Sequence, residues 1–255
     1  NENVEIAYSS LFGDKAQLFD EQYESFRLSG VAHLLAVSGL HVGIIVNIIC
    51  AIFKLFKKEG WGRLITVAIF VFFYAYICDF SVSVLRACIM AVCLLLSKLL
   101  AREYDPLSSI SLAGIVLFII NPFVMFDVSF LMSFSCVLGI TLLFRPIKKA
   151  LSKTKMQNCL ANSLAMSCAT SISLIFIMAY FFKTLNVISL FANIILIPIF
   201  TFGFTILFVV SILSLIFPFL RYLMIVVNPI FDFINLTTTV LGNLPISNFA
   251  TIEIQ

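Results

Sequence analysis

His33-Leu34-Leu35-Ala36-Val37-Ser38-Gly39-Leu40-His41-Val42-Gly43 opens an apolar run that continues to Phe56. Crossing a bilayer as a helix takes about 20 predominantly apolar residues, and this run is long enough to do so. Its head carries two imidazoles, a hydroxyl and two glycines. Polar and ionisable groups inside a membrane segment are costly, so they mark places where a task is performed.

The same apolar character extends along the whole chain. Hydrophobic residues make up 62% of it and charged residues 11%, whereas a soluble domain carries about 25% charged residues. An ordinary soluble domain is thereby excluded, and the fold class read from composition is an all-α polytopic membrane protein. The net charge of +3 is too small to define a nucleic-acid surface by itself. The chain opens at Asn1 in a polar stretch, without a signal peptide, and so reads as part of a longer protein. The seven cysteines lie in or at the edge of apolar runs with no C-x-x-C pair. They read as buried apolar thiols rather than metal ligands or disulfides.

Three segments follow. Residues 1–32 are polar. Asp14 and Gln17 have capping-box spacing, and Phe19, Tyr23 and Phe26 share a face, which predicts an amphipathic helix lying at the membrane interface. Residues 33–244 hold about eight spans, at His33–Phe56, Leu64–Phe80, Val82–Ala101, Leu107–Ile120, Val128–Phe144, Cys159–Phe182, Leu185–Phe217 and Tyr222–Leu244. The fourth is short, hence tilted or broken. The seventh is too long for one straight span and contains Pro198 and Gly203, so a kinked or interrupted helix is expected. Residues 245–255 form a tail.

Lys and Arg placement sets the orientation. Lys54, Lys57, Lys58 and Arg63, then Lys98 and Arg102, then Arg145, Lys148, Lys149, Lys153 and Lys155, and finally Arg221 fall on one side of an eight-span chain. The positive-inside rule makes that side cytoplasmic and leaves both termini outside. In this topology His33, Ser38, His41, Asp79, Arg86, Asp127 and Asn193 share the outer layer. Spans one, two, three, five and seven would thus build the mouth of a polar cavity.

Arg86 is the sharpest of these residues. A guanidinium matches phosphate or carboxylate bidentately, so it either guides a polyanion or forms an ion pair with Asp79 or Asp127; the two uses are compatible. Ser38 and His41 share a helical face. They read as a hydrolase dyad, or as hydrogen-bonding groups that hold a helix junction or line a wet cavity. Gly39 and Gly43 form G-x-x-x-G, which favours close helix packing. Ser129, Ser133 and Cys136 in span five, and Ser163, Ser167, Thr170 and Ser171 in span six, either line a hydrated passage or join helices. Asn193 before Pro198 marks a broken helix at the mouth, or a plain proline kink. Asp232 faces the cavity, or else span eight is partly interfacial. The chain contains no G-x-x-x-x-G-K-[ST], no H-E-x-x-H and no dinucleotide fingerprint. No cofactor, ATP hydrolysis or strand cleavage is expected within it.

Several blocks, in order, resemble the competence domain of the ComEC/Rec2 family of DNA-uptake membrane proteins. Leu11-Phe12-Gly13-Asp14 with Phe26, Gly30 and Ala32–Gly43 resembles the first block. Phe80-Ser81-Val82-Ser83-Val84-Leu85-Arg86-Ala87 with Met90 is similar to the second, and Arg102–Leu107 to the third. Asn121-Pro122, Phe126–Phe130 and Leu131–Phe134 resemble the fourth, and Val187–Asn193 with Ile197-Pro198 the fifth. Ser129, Met132 and Asp79 depart from the family pattern.

The resemblance implies a channel domain, not an enzyme, that passes one DNA strand through the bacterial cytoplasmic membrane during natural transformation. Its implied partners are single-stranded DNA, membrane lipid, extracellular OB-like and β-lactamase-like domains of the same protein, a cytoplasmic ATPase or helicase motor, and a DNA-receptor protein. Arg86 would steer phosphates. His33, Ser38 and His41 would shape and hydrate the mouth, and some of the 28 phenylalanines would stack bases. Two other functions fit the same residues: secondary transport of a small anionic solute, and an intramembrane Ser/His hydrolase.

Overall fold

The computed structural model describes residues 37–58, 60–152, 158–182 and 188–242, together with residues 6, 8, 9, 11, 25, 26, 29, 31, 34 and 35. His33, the tail from 245 and most of the amphipathic helix expected after Asp14 lie outside the described residues; of that helix Ser25 and Phe26 are helical, and Phe26 is buried. The chain divides into two compact units, Ser38–Phe182 and the pair of segments Asn1–Val37 and Lys183–Gln255.

The first unit holds six helices: α1 (Gly39–Leu55), α2 (Trp61–Ile77), α3 (Val82–Leu99), α4 (Pro106–Ile120), α5 (Val128–Leu151) and α6 (Asn158–Ile177). The second holds α7 (Ile188–Ile216) and α8 (Met224–Gly242). The described residues contain no strand. Three helices of the first unit and both of the second are long and apolar enough to cross a membrane, while α1, α2 and α4 are shorter apolar helices. Short connections at 56–60, 78–81, 100–105 and 121–127 force α1 to α5 to alternate in direction. The starts of α1, α3 and α5 therefore share one end of the unit. Lys54, Lys57, Lys58, Lys98, Arg102, Arg145, Lys148 and Lys149 lie exposed at the other.

α3 is the hub, packing against α1, α2, α4 and α5. The helices are apolar all round, as buried or lipid-facing helices must be. In α2, Leu64, Val67, Val71, Tyr74 and Ala75 are buried at helical spacing while Ile65, Ile69, Phe72, Phe73 and Tyr76 stand exposed on the far face. The Cys88 thiol donates to the Val71 carbonyl at 3.4 Å and ties α3 to α2.

Several span boundaries move relative to the sequence reading, and the helix ends explain why. The first helix starts at Gly39 rather than His33, because Ser38 caps it. α4 itself is unbroken: Asp105 caps its start, and Asn121, in extended conformation at φ −146°, ends it and caps a 3-10 turn (Pro122–Phe126). The seventh span runs as one helix through Pro198 rather than being interrupted there. Pro198 leaves one carbonyl without its amide partner. Next to it, the Thr201 hydroxyl donates to the Ile197 carbonyl at 2.7 Å, and the helix is locked against α8. Phe200, Phe204 and Phe231 are essentially fully buried in that seam, with Phe200 and Phe231 edge to face at 6.4 Å. Gly203 admits Ile230, whose Cγ2 would lie 2.8 Å from an added Cβ. Irregularity sits elsewhere, where α6 passes into a π-helical turn at Met178–Phe182.

In the first unit, α5 and α6 make the most extensive pairing. Ala161, Ala165 and Ala169 form a buried small-residue stripe on α6, which lets two backbones approach closely. Gly139 of α5 meets this stripe; a Cβ there would collide with the Ser173 side chain and lie 3.0 Å from the Ala169 carbonyl. Gly43, by contrast, has open space around it, so the close packing expected for G-x-x-x-G is absent at its second glycine. Gly139→Ala should therefore lower unfolding stability in detergent by about 1–3 kcal/mol. Gly43→Ala should leave it unchanged or raise it by about 0.5–1 kcal/mol. Equal effects of the two substitutions would contradict this packing.

Asp105 accepts hydrogen bonds from the Leu107 and Ser108 amides at 3.2 and 3.0 Å. The Ser108 hydroxyl and amide hold its carboxyl below the usual carboxylate range. A depressed folded pKa means that the cap's stabilisation is complete above the unfolded value, about 3.9, and is lost as pH falls through the lowered folded one. Asp105→Asn, which caps without titrating, should remove this acid-side component from a pH series of unfolding midpoints.

Candidate functional site

The start of α1 sets the site's floor. Ser38 and His41 form a reciprocal capping box: the Ser38 side chain accepts at the helix start, and the Ser38 N–H donates to His41 Nδ1 at 3.1 Å. The Ser38 hydroxyl also accepts from the Leu40 amide at 3.3 Å and lies 3.2 Å from His41 Nδ1. This is the S-x-x-E/Q device with imidazole in place of carboxylate or amide, and its spacing was visible in the sequence. His41 is fully buried. An Nδ1 that accepts the Ser38 N–H is unprotonated, which places the ring proton on Nε2. The lone pair a hydrolase would need to deprotonate Ser38 is thus already engaged by the Ser38 N–H.

Gly39 lies against α3, an added Cβ there being 3.6 Å from the Ala87 Cβ. This contact sets the head of α1 level with Arg86, one residue before Ala87 and in the second turn of α3. The Arg86 side chain is 8% exposed. Its Nη2 reaches back to the Ser83 hydroxyl and carbonyl at 3.4 and 3.5 Å, both long. Its Nη1 is buried with no hydrogen-bond partner among the described residues. The titratable side chain that faces it is Cys136 of α5. Ser83 and Cys136 were not singled out with Arg86 in the sequence. The i, i+3 relation of Ser83 was available there; the placement of Cys136, from another helix, was not.

The ion pair, one of the two uses read for Arg86, is not formed among the described residues. Among the described residues, Arg86 pairs with neither Asp79 nor Asp127. Both are exposed, and Asp127 caps α5 by accepting from the Phe130 amide at 3.0 Å. Asp79 sits in the α2–α3 turn at φ 51°, followed by Phe80 at φ 48°, a left-handed pair that aims the chain back into α3. The hydroxyls of α6 that the sequence placed along a passage are partly engaged with their own helix, Thr170 donating to the Ser167 carbonyl at 2.9 Å. Asn193 and Pro198 belong to the second unit, where Asn193 Oδ1 is buried with no partner among the described residues. Asp232 is exposed along α8. No group of three or more metal-ligating side chains is present among the described residues.

The structure thus sets the Ser38–His41 cap and Gly39 at the level of Arg86. What they can do chemically is hold a helix end rigid beside one committed charge with spare donors. If the pair at 38 and 41 is a cap, Ser38→Ala should cost about 0.5–2 kcal/mol of stability. His41→Gln, which preserves the box, should restore thermal stability close to that of the unsubstituted chain, and His41→Ala should not.

Compared with known proteins, the chain matches the family described as Competence protein across residues 10–255. It is 28% identical over 203 residues to ComE operon protein 3 of Bacillus subtilis, covering 77% of this chain and 25% of that protein. It is 28% identical over 151 residues to Recombination protein 2 of Haemophilus influenzae, covering 56% and 19% respectively. An uncharacterized protein of Aquifex aeolicus is 33% identical over 141 residues, covering 55% and 33%. The chain therefore spans between a fifth and a third of the length of these relatives. No solved structure matches it.

Proposed function

The chain belongs to the competence protein family, and we propose that its helical domain forms the conduit for single-stranded DNA through the cytoplasmic membrane during natural transformation. The observation that carries this reading is Arg86: a guanidinium held 8% exposed, with Nη1 unpartnered among the described residues, near one end of a membrane helix bundle. A buried charge without its hydrogen bonds is costly. A transiting phosphate supplies what it lacks.

In this proposal that end faces outward and the basic end faces the cytoplasm, as the positive-inside rule requires; both termini then lie outside. Ser38 and His41 keep the head of α1 rigid at the mouth. Asp79 and Asp127, exposed at the same end of the Ser38–Phe182 unit, contribute to its rim. OB-like and β-lactamase-like domains of the full-length protein would bind and trim DNA outside, and a DNA-receptor protein would deliver it. A cytoplasmic ATPase or helicase would pull the strand. The proposal assigns no cofactor and no covalent step to these residues.

One guanidinium also suits secondary transport of a small anionic solute, and a single experiment separates the two. Nuclease-resistant labelled single-stranded DNA is followed into the cytoplasm of cells carrying Arg86→Ala in the full-length protein, at matched membrane abundance. The expected result is a fall of about tenfold or more, the size of losing ~1.4 kcal/mol of a charge-assisted contact, with surface DNA binding intact. Unchanged uptake would remove Arg86 from the path. Uptake that survives deletion of the whole protein would sink the DNA reading, leaving small-anion transport to be measured in liposomes.

A further inference from the structure

Arg86 is isolated from other cations along its stretch of the chain. No other Lys or Arg occurs between Arg63 and Lys98, nor any between Arg102 and Arg145. The remaining described cations of the Ser38–Phe182 unit gather at the opposite end. At its own end Arg86 is thus the one strong cation among the described residues. The carboxylates there, Asp79 and Asp127, are exposed, and Asp127 is engaged as a cap. The capping-box bond leaves the neighbouring His41 a neutral ring. Nη2 is directed towards Ser83, so the guanidinium retains Nη1 donors for a ligand, with the Ser83 hydroxyl beside it.

This site holds one positive charge on a side chain that is 8% exposed. A ligand with one negative charge is neutralised there. A dianion leaves one charge uncompensated in a poorly solvated place, and a second phosphate arriving together with the first finds no partner. A neutral group gains nothing from the charge. We infer that the Arg86 site takes one internal phosphodiester at a time, a monoanion, and gives no advantage to a dianionic terminal phosphomonoester. A duplex, with about twice the charge per unit length of a single strand, would bring in phosphates that the site cannot match. The inference rests on the conduit reading and adds to it the charge class and the number of groups bound at this position.

Counterion release makes the number of contacts measurable, since each phosphate neutralised on a single strand adds about 0.7 to the magnitude of the log K against log salt slope. The full chain, in nanodiscs of zwitterionic phosphatidylcholine, is titrated with fluorescent oligothymidylate over a series of KCl concentrations. Arg86→Gln should lower the slope by about 0.7, and Arg86→Lys should retain it, which separates loss of charge from loss of fold. Oligothymidylate with a 5′-phosphate should compete no better than the same strand with a 5′-hydroxyl. A slope change near zero or near twice the expected one, or clear preference for the 5′-phosphate, would overturn the one-phosphodiester inference while leaving the conduit reading in place. If the unsubstituted chain binds no oligothymidylate at all, both fall together.

Discussion

A polypeptide in hydrocarbon must satisfy its own backbone, and that constraint organises this molecule. Helices do so along their length but leave open donors at every start. Here the open donors are met by side chains a few residues away: Ser38 with His41 at α1, Asp105 at α4, Asn121 at the 3-10 turn, Asp127 at α5. Polar residues that look like a collection of functional groups in the sequence are in large part spent on this requirement. What is left over stands out more sharply, and in the Ser38–Phe182 unit it is the guanidinium of Arg86.

Helix packing is the second consequence. Lipid offers no hydrophobic drive for helices to associate, so association depends on close fit. The fit is made by the alanine stripe of α6 against Gly139 and by the aromatic seam of α7 and α8 closing over Gly203. α3 stands between four neighbours, and this gives Arg86 its burial: a residue in the second turn of a peripheral helix would reach the membrane surface by its long stem, whereas here the stem is enclosed. The contact of Gly39 with Ala87 fixes the head of α1 beside it, so a rigid capped helix end and a charged side chain with spare donors occupy the same level.

In the proposed conduit this arrangement would serve the passage of a strand. A strand that must move cannot be held by many strong contacts, and a single charge with a few donors binds and releases. The exposed cations sit at the far end of the same helices, so in the proposed orientation a polyanion would meet its sparsest positive charge first and its densest last. Such a gradient would favour passage in one direction and leave the driving work to the proposed motor.

The sequence by itself determined that the chain is helical and membrane-embedded, where most helices lie, and which end is basic, because hydropathy and charge are local properties that hydrocarbon reads residue by residue. It also contained the family-like blocks, including both the Ser38–His41 spacing and Arg86. Only the tertiary structure decided what these groups do. Ser38, His41 and Asp127 became caps because their partners are backbone amides whose freedom depends on where each helix starts. Asp79 and Asp127 did not pair with Arg86, since turn geometry left both carboxylates exposed while packing around α3 enclosed the guanidinium. Pro198 did not interrupt its helix, because the seam with α8 outweighs one lost hydrogen bond. The caps are contacts across two or three residues, but the burial of Arg86 and the α7–α8 seam rest on contacts between residues distant in the chain, and such contacts leave no periodic signal in the sequence.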